Sequence, residues 1–434
     1  MDKAGWADNV LVKRFLFTAL ALLVFRLGVH IPIPGIDAKE LAAFANQQNA
    51  GLLKIFNVFS GGALSHFSVL SLAVMPYISA SIIMQLMTVV VPALEQMQKE
   101  GGGGRQKITR ITRFLTIFLA FVQGYLLSAG LQASRGATGA LIVLEPGVSF
   151  QLLAAILMTT GSCFVMWLGE QITERGIGNG ISLIIFAGIV AYLPASLNTF
   201  IEMIRQNNGV ILSLLGLLVF TLLVVFGVVF FEQSYRKIPI HYAKRVVGQR
   251  VMTAQATHLP LKVNMSGIMA AIFSSTILAV PATIFSLNKT HQSVFSAEFL
   301  PGHWLYNVVF VILGLFFSFF YASIVFKPDD IAENLKKQNA YIPGIRPGSE
   351  TSEALDTVVT RLTLAGAFYM NMIVVIPALV MSLYTQQMNL GGTSLLIVVG
   401  VALEAVRQVS AQLATQRYDS LIFPTDHELS PSRK

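Results

Sequence analysis

The chain has 434 residues, 54% of them hydrophobic and only 12% charged, with 30 Lys and Arg against 22 Asp and Glu. Apolar runs of about twenty residues recur from end to end, which excludes a water-soluble globular domain and describes a polytopic membrane protein. Their continuous apolarity excludes a membrane barrel, whose strands would alternate, and a single cysteine, Cys163, excludes an internal disulfide and any cysteine-based metal cluster.

Ten candidate spans follow in chain order, near 15–30, 69–91, 111–131, 150–169, 180–197, 210–231, 265–286, 304–326, 362–384 and 393–412. The predicted fold class is therefore all-α, with ten transmembrane helices. The first window leads into HIPIPGID and not into a small-residue cleavage site, so it reads as a retained span. Arg26 and His30 lie toward one of its ends. Residues 57–87, NVFSGGALSHFSVLSLAVMPYISASIIMQLM, then pose a question: a polar, glycine-broken piece runs straight into apolar sequence of spanning length.

Basic residues set the orientation. Lys3, Lys13 and Arg14 precede span one; Lys99, Arg105, Lys107, Arg110 and Arg113 follow span two; Arg236, Lys237, Lys244, Arg245, Arg250 and Lys262 follow span six. Lys327, Lys336, Lys337, Arg346 and Arg361 follow span eight, and Arg417, Arg433 and Lys434 close the chain. The alternate loops hold only Lys39, Lys54, Arg135, Arg205 and Lys289, so the positive-inside rule predicts cytoplasmic termini, as an even number of spans requires.

EQITERGIGNGISLIIF, residues 170–186, has the glycines of a nucleotide loop without its spacing: Gly176, Gly178 and Gly180 do not give G-x-G-x-x-G, and no Walker pattern occurs. It reads as a helix stop at Gly176 and a restart capped by Asn179. The stretch 192–209 divides the chain into two five-span halves, 1–197 and 210–434 with 198–209 as an external hinge, which an odd span number places in opposite topology. Two long basic loops, 232–262 and 327–360, follow; RKIPIHYAKRVVGQRV (236–251) alternates enough for a short hairpin, and YIPGIRPGSE (341–350) holds Arg346 on a stiff turn. Those basic residues serve as solvated topology signals, attract anionic lipid, or grip a polyanionic partner. Within the spans, ionisable groups are scarce; Glu404 and Arg407 lie in the last one. The polar residues Gln85, Gln123, Asn179, Asn264 and Asn371 read first as interhelical hydrogen-bond partners, and Cys163 as a small core residue.

FRLGVHIPIPGID, FNVFSGGALSHFSVLSLAVMPYISASI, WLGEQITERGIGNGISLIIFAGIV, THLPLKVNMSGI, YIPGIRPG and GGTSLLIVVGVALE, in this order, resemble the SecY/Sec61-alpha family of protein-conducting channels, most closely its bacterial branch. The resemblance covers nearly the whole chain. It implies two pseudo-symmetric inverted halves around an hourglass pore that opens sideways to lipid between spans two and seven. It answers the question at residue 57: residues 52–66 match a re-entrant plug, with Asn57, Phe59, Ser60, Gly61, Gly62 and His66 among its residues, because irregular backbone is tolerated where it lines a water-filled cavity. Without the family, an amphipathic helix on the outer interface competes with that reading.

The same resemblance places a pore ring at Val74, Ile78, Ile181, Ile185, Ile272 and Ile397, with Val74 where isoleucine is commoner. Apolar side chains offer no hydrogen bonds, so such a ring dewets against ions yet yields around a passing chain. It places the lateral gate at Gln85 and Asn264, and contacts for cytoplasmic partners at Lys244, Arg245, Arg250 and Arg346. Gln249 and Asp329 depart from the arginines common there. The implied partners are SecE-like and SecG-like small membrane subunits, a SecA-like motor ATPase, the ribosome with its RNA, signal sequences, nascent polypeptides and membrane lipids. No cofactor, metal or catalytic residue is implied, and the implied location is the bacterial cytoplasmic membrane. A secondary transporter or an intramembrane enzyme is the competing class; an aspartyl protease would want an Asp where Asn179 stands.

Overall fold

The computed structural model describes residues 10–37, 40–41, 57, 59–133, 142–206, 211–242, 245–247, 250–252, 256–287, 304–384 and 392–422. The chain divides into two compact units, one of residues 1–49, 53–195 and 401–434, the other of 50–52 and 196–400.

In the first unit, α1 (Val10–Gly28) is followed by a stretch in which Pro32 bridges Ser68 and Ile36 bridges Val143. Helix α2 (Met75–Val90) starts six residues later than the apolar pattern of span two predicts. The reason lies in the backbone. Residues 60–74 are consecutive turns, Phe67 and Ala73 have φ of 43° and 44°, and the Phe67 carbonyl and Val69 N–H bond with Ile33 N–H and the Ile31 carbonyl, at 3.1 and 3.0 Å. Groups spent on that pairing are lost to a helix, which begins only where Pro76 needs no N–H partner. Helix α3 (Pro92–Lys99) then leaves α2 at 99°, because Pro92 forces Val91 into extended backbone (φ −100°, ψ 111°). Helices α4 (Gly102–Ala133) and α5 (Val148–Arg175) pack together, with Ala120, Phe150, Ala154 and Met158 joining Ile33, Phe67 and Leu72 in a buried cluster. A four-residue turn leads to α6 (Gly180–Gln206).

In the second unit, α7 (Ile211–Glu232) leads into β1 (Tyr235–Tyr242), β2 (Arg245–Val247), β3 (Arg250–Met252) and β4 (Ala256–Lys262). The expected hairpin at 236–251 is larger than its alternation suggests. Strand β1 pairs antiparallel with β4, from Tyr235 opposite Lys262 to His241 opposite Ala256, and β2 with β3 forms a second hairpin inside that one. Helices α8 (Met269–Leu287), α9 (Trp304–Val325) and α10 (Pro328–Lys337) precede β5 (Ala340–Tyr341), which completes the order β4-β1-β5. The apolar face of this sheet is covered: Ile240 and Ala340 are buried with Leu335 of α10, flanked by Leu259 and Ile331. Helix α11 (Ser349–Tyr384) then packs on α9, where Gly314 leaves no room for a Cβ beside Asn371; α12 (Gly392–Ile422), which belongs to the first unit from residue 401 on, ends the described chain.

Among the described residues five helices are long and apolar enough to cross a membrane, or six if α2 and α3 form one broken span. Three further apolar segments, Gly180–Pro194, Leu218–Glu232 and Met269–Leu278, are shorter.

Candidate functional site

The polar piece before span two is built around glycine. Gly61 and Gly62 have φ of 67° and 90°, a region that other residues enter only with strain. Asn57 ties the bend together: its side-chain Oδ1 accepts from Ser65 N–H at 2.9 Å and its carbonyl accepts from Gly62 N–H at 2.8 Å. The Ser65 hydroxyl donates to the Gly62 carbonyl at 2.7 Å. Phe59 and Ser60 are buried, and a Cβ on Gly188 of α6 would stand 3.0 Å from the Phe59 carbonyl, so these backbones touch through glycine alone. From α1 the Arg26 guanidinium donates to the Gly61 carbonyl, and the ring of exposed His66 lies 5.9 Å from that of His30. Asn57 and Phe59 have helical backbone; residues 52–56 and Val58, also expected in the plug, lie outside the described residues.

Of the ring candidates, Val74 caps α2 and its carbonyl accepts from Ile78 N–H at 3.0 Å, both side chains being buried. Ile181 and Ile185 stand one turn apart on α6. Ile181 is half-buried beside Gly169 of α5 and Ile185 is buried. Ile272 on α8 and Ile397 on α12 are also buried. The turn that carries Ile181 is capped as its sequence predicts: Asn179 Oδ1 accepts from Ile181 N–H at 3.1 Å, and the left-handed residue is Gly178, at φ 83°. Thr18 of α1 accepts from Ile177 N–H, and Gln408 of α12 from Gly178 N–H at 2.7 Å.

The two gate candidates differ in satisfaction. Gln85 donates to Ser81 Oγ at 3.2 Å, while its Oε1 is buried without a hydrogen-bond partner among the described residues. Asn264 has partners at both ends of its amide: its Nδ2 donates to Glu232 Oε1 at 2.7 Å, and its Oδ1 accepts from Ser266 Oγ and Gly267 N–H, each at 3.1 Å. Buried Glu232 is a residue that sequence reasoning missed. Its only signal was a carboxylate at the end of an otherwise apolar span.

On the loops, Arg346 is 88% exposed, on a turn between Gly344 and Gly348, which have φ of 83° and 123°. Its guanidinium stands 3.9 Å from Glu350, and its carbonyl accepts from the Thr351 hydroxyl at 2.7 Å. Arg245 and Arg250 sit opposite Met252 and Val247 on the β2–β3 hairpin; Lys244 and Gln249 lie outside the described residues. Asp329 has a local partner, accepting from Ser352 Oγ at 2.5 Å and so tying the start of α10 to that of α11. Among the described residues no group of three or more His, Cys, Asp and Glu side chains is placed to hold a metal ion.

A family model described as SecY matches residues 68–406. The chain is 48% identical over 417 residues to the protein translocase subunit SecY of Escherichia coli (strain K12), covering 95% of this chain and 94% of that one. It is 47% identical over 421 residues to the protein of the same name from Vibrio cholerae, again covering 95% and 94%. A solved structure described as that of a protein conducting channel shares the fold, with a TM-score of 0.66 at 18% identity over 92% of both chains.

Proposed function

Because this chain belongs to the SecY family, we infer that it is the central pore subunit of a protein translocation channel in the bacterial cytoplasmic membrane, passing unfolded secretory polypeptides across it and releasing transmembrane segments sideways into lipid. Ten spans in two inverted halves, 1–197 and 210–434 joined by the external segment 198–209, carry the pore, with both termini cytoplasmic. Helices over all ten apolar windows support that count. Val74, Ile78, Ile181, Ile185, Ile272 and Ile397 form the apolar seal, residues 52–66 plug it from outside, and Gln85 and Asn264 flank the lateral exit. The open acceptor on Gln85 supports a seam held by few and neutral contacts, since a seam that parts must not strand a charge in hydrocarbon. Lys244, Arg245, Arg250 and Arg346 meet the ribosome or a motor ATPase, and two small membrane subunits complete the channel. The chain itself catalyses nothing; its partners supply the energy.

The matched sequence over residues 68–406 is the observation that carries this reading. Vesicles holding the chain with its two small subunits test it. With a motor ATPase and ATP, a precursor should become protease-protected only when it bears a signal sequence. Protection that ignores the signal sequence, or a proton flux coupled to a small solute instead, would overturn it in favour of a secondary transporter.

A further inference from the structure

Arg26 and His30 stand one turn apart on the first span, and both reach the segment that the preceding reading makes the plug. The Arg26 guanidinium donates to the Gly61 carbonyl. The Nδ1 of His30 lies 3.0 Å from the Arg26 carbonyl, which fixes the imidazole over the helix, and its ring centroid is 5.9 Å from that of His66. The base of the segment is anchored separately, by the backbone bonds of residues 67 and 69 to 31 and 33. The C-terminal part of 57–66 is tied through the Ala63 carbonyl, which accepts from Ser68 N–H at 3.0 Å and from the Ser71 hydroxyl at 3.1 Å, while residues 59–61 meet the glycine contact at Gly188 and the hold of Arg26.

We propose that Arg26, His30 and His66 form a latch that holds residues 57–66 on the first span at neutral pH and releases them in acid. This rests on the plug reading only for its effect on conductance. His66 is the one titratable side chain in 57–74. Around it, α1 offers Arg26 and the turn that follows α1 offers His30; α6 from Gly180 to Pro194 has no charge and only Tyr192 to titrate; α2 has only Tyr77. Helix α5 has Cys163 beside Gly161 and its charges, Glu170, Glu174 and Arg175, further along; the adjoining stretches carry Asp37, Glu40 and Glu145. The charges that act on His66 are His30 and Arg26.

Partial desolvation first, then His30 and Arg26, hold the His66 imidazole below its usual value of 6.5. The latched state therefore binds fewer protons than the released one. Above pH 6.5 both are neutral and the latch has no penalty; as the pH falls below 6.5 the penalty opens, and it grows until the latched value is reached. Protonated His66 meets the charge of Arg26, which has no freedom to leave while it holds Gly61.

Ser60 is buried and close in shape to cysteine, so Ser60→Cys in a Cys163→Ser background reports release. The full channel complex in vesicles is labelled from outside with a membrane-impermeant thiol reagent, each rate divided by that of the denatured chain at the same pH. The corrected rate should be low and level above about pH 6.5 and should rise as the pH falls below it, because only the released state then gains a proton. Both His66→Phe and His66→Gln should abolish the rise, the second keeping polarity without a charge. A corrected rate that is flat with pH, or an acid rise that survives both substitutions, would overturn the latch. Single-channel conductance separates the two readings: acid-dependent labelling with constant conductance keeps the latch and removes the plug.

Discussion

Buried Glu232 shows what one side chain does for a buried amide. Asn264 Nδ2 has Glu232 as its acceptor, so the amide that opens span seven is oriented from span six within one unit. Replacing Glu232 with Ala leaves that N–H buried and unpaired, which costs about 2 kcal/mol for a hydrogen bond to a charged group; the purified channel should unfold at a lower temperature in calorimetry, and Glu232→Gln, which keeps an acceptor oxygen, should recover most of the loss. An equal drop in both would mean that the carboxylate charge, not the amide contact, is what matters. Arg346 gives the opposite case. Being 88% exposed on a glycine-bounded turn, it contributes little to packing. Arg346→Glu should impair motor-driven export in vesicles while the amount of assembled channel stays nearly unchanged, because charge reversal repels an acidic partner surface. Parallel loss of assembly and export would remove the docking role. The turn under Arg346 and the cap at Asn179 were legible from sequence because both are local. The Arg26 contact was not, since its acceptor is a backbone carbonyl 35 residues away that no side-chain pattern marks.

Local and nonlocal pairing also decide what the elements reveal. Apolar length located the helices, and the small β2–β3 hairpin follows from alternation. The larger pairing of β1 with β4 was hidden because its partner lies beyond the loop, where Leu259 and Leu261 read as ordinary apolar residues. The late start of α2 escaped for a related reason: residues 69–74 are as apolar as a helix, but their backbone is committed to the 31–33 stretch and to turns. Close approach of residues 59–61 to α6 depends on Gly188, which has ordinary helical backbone and is thus a clean probe of space. Gly188→Val should push residues 59–61 away without straining the helix, and in Ser60→Cys channels it should raise the rate of thiol labelling several-fold at neutral pH. Labelling at the parent rate would mean that the segment does not rest on α6.

At the scale of the whole molecule, composition and recurring apolar length mark a polytopic membrane protein, while the proposed seal has no signature of its own in the sequence, because isoleucine in a membrane helix looks the same whether it packs, meets lipid or lines a pore. Family resemblance alone selects those positions, so the seal needs a test in which chemistry, not packing, changes. Replacing Ile78, Ile181, Ile272 and Ile397 together with serine shortens each side chain and gives water a hydrogen-bond partner at each site. The idle channel should then wet and conduct ions in planar bilayers. Deleting residues 57–66 as well should raise the conductance above that of either change alone, because a plug outside the ring limits a leak that the ring no longer stops. Export in vesicles should survive in part, since a wetter pore still admits an extended chain and offers it no specific binding. Serine at three buried positions and one half-buried one also tests folding, and assembled complex recovered from mild detergent is the control. A quadruple variant that assembles, exports and stays as ion-tight as the parent would place the seal on other residues.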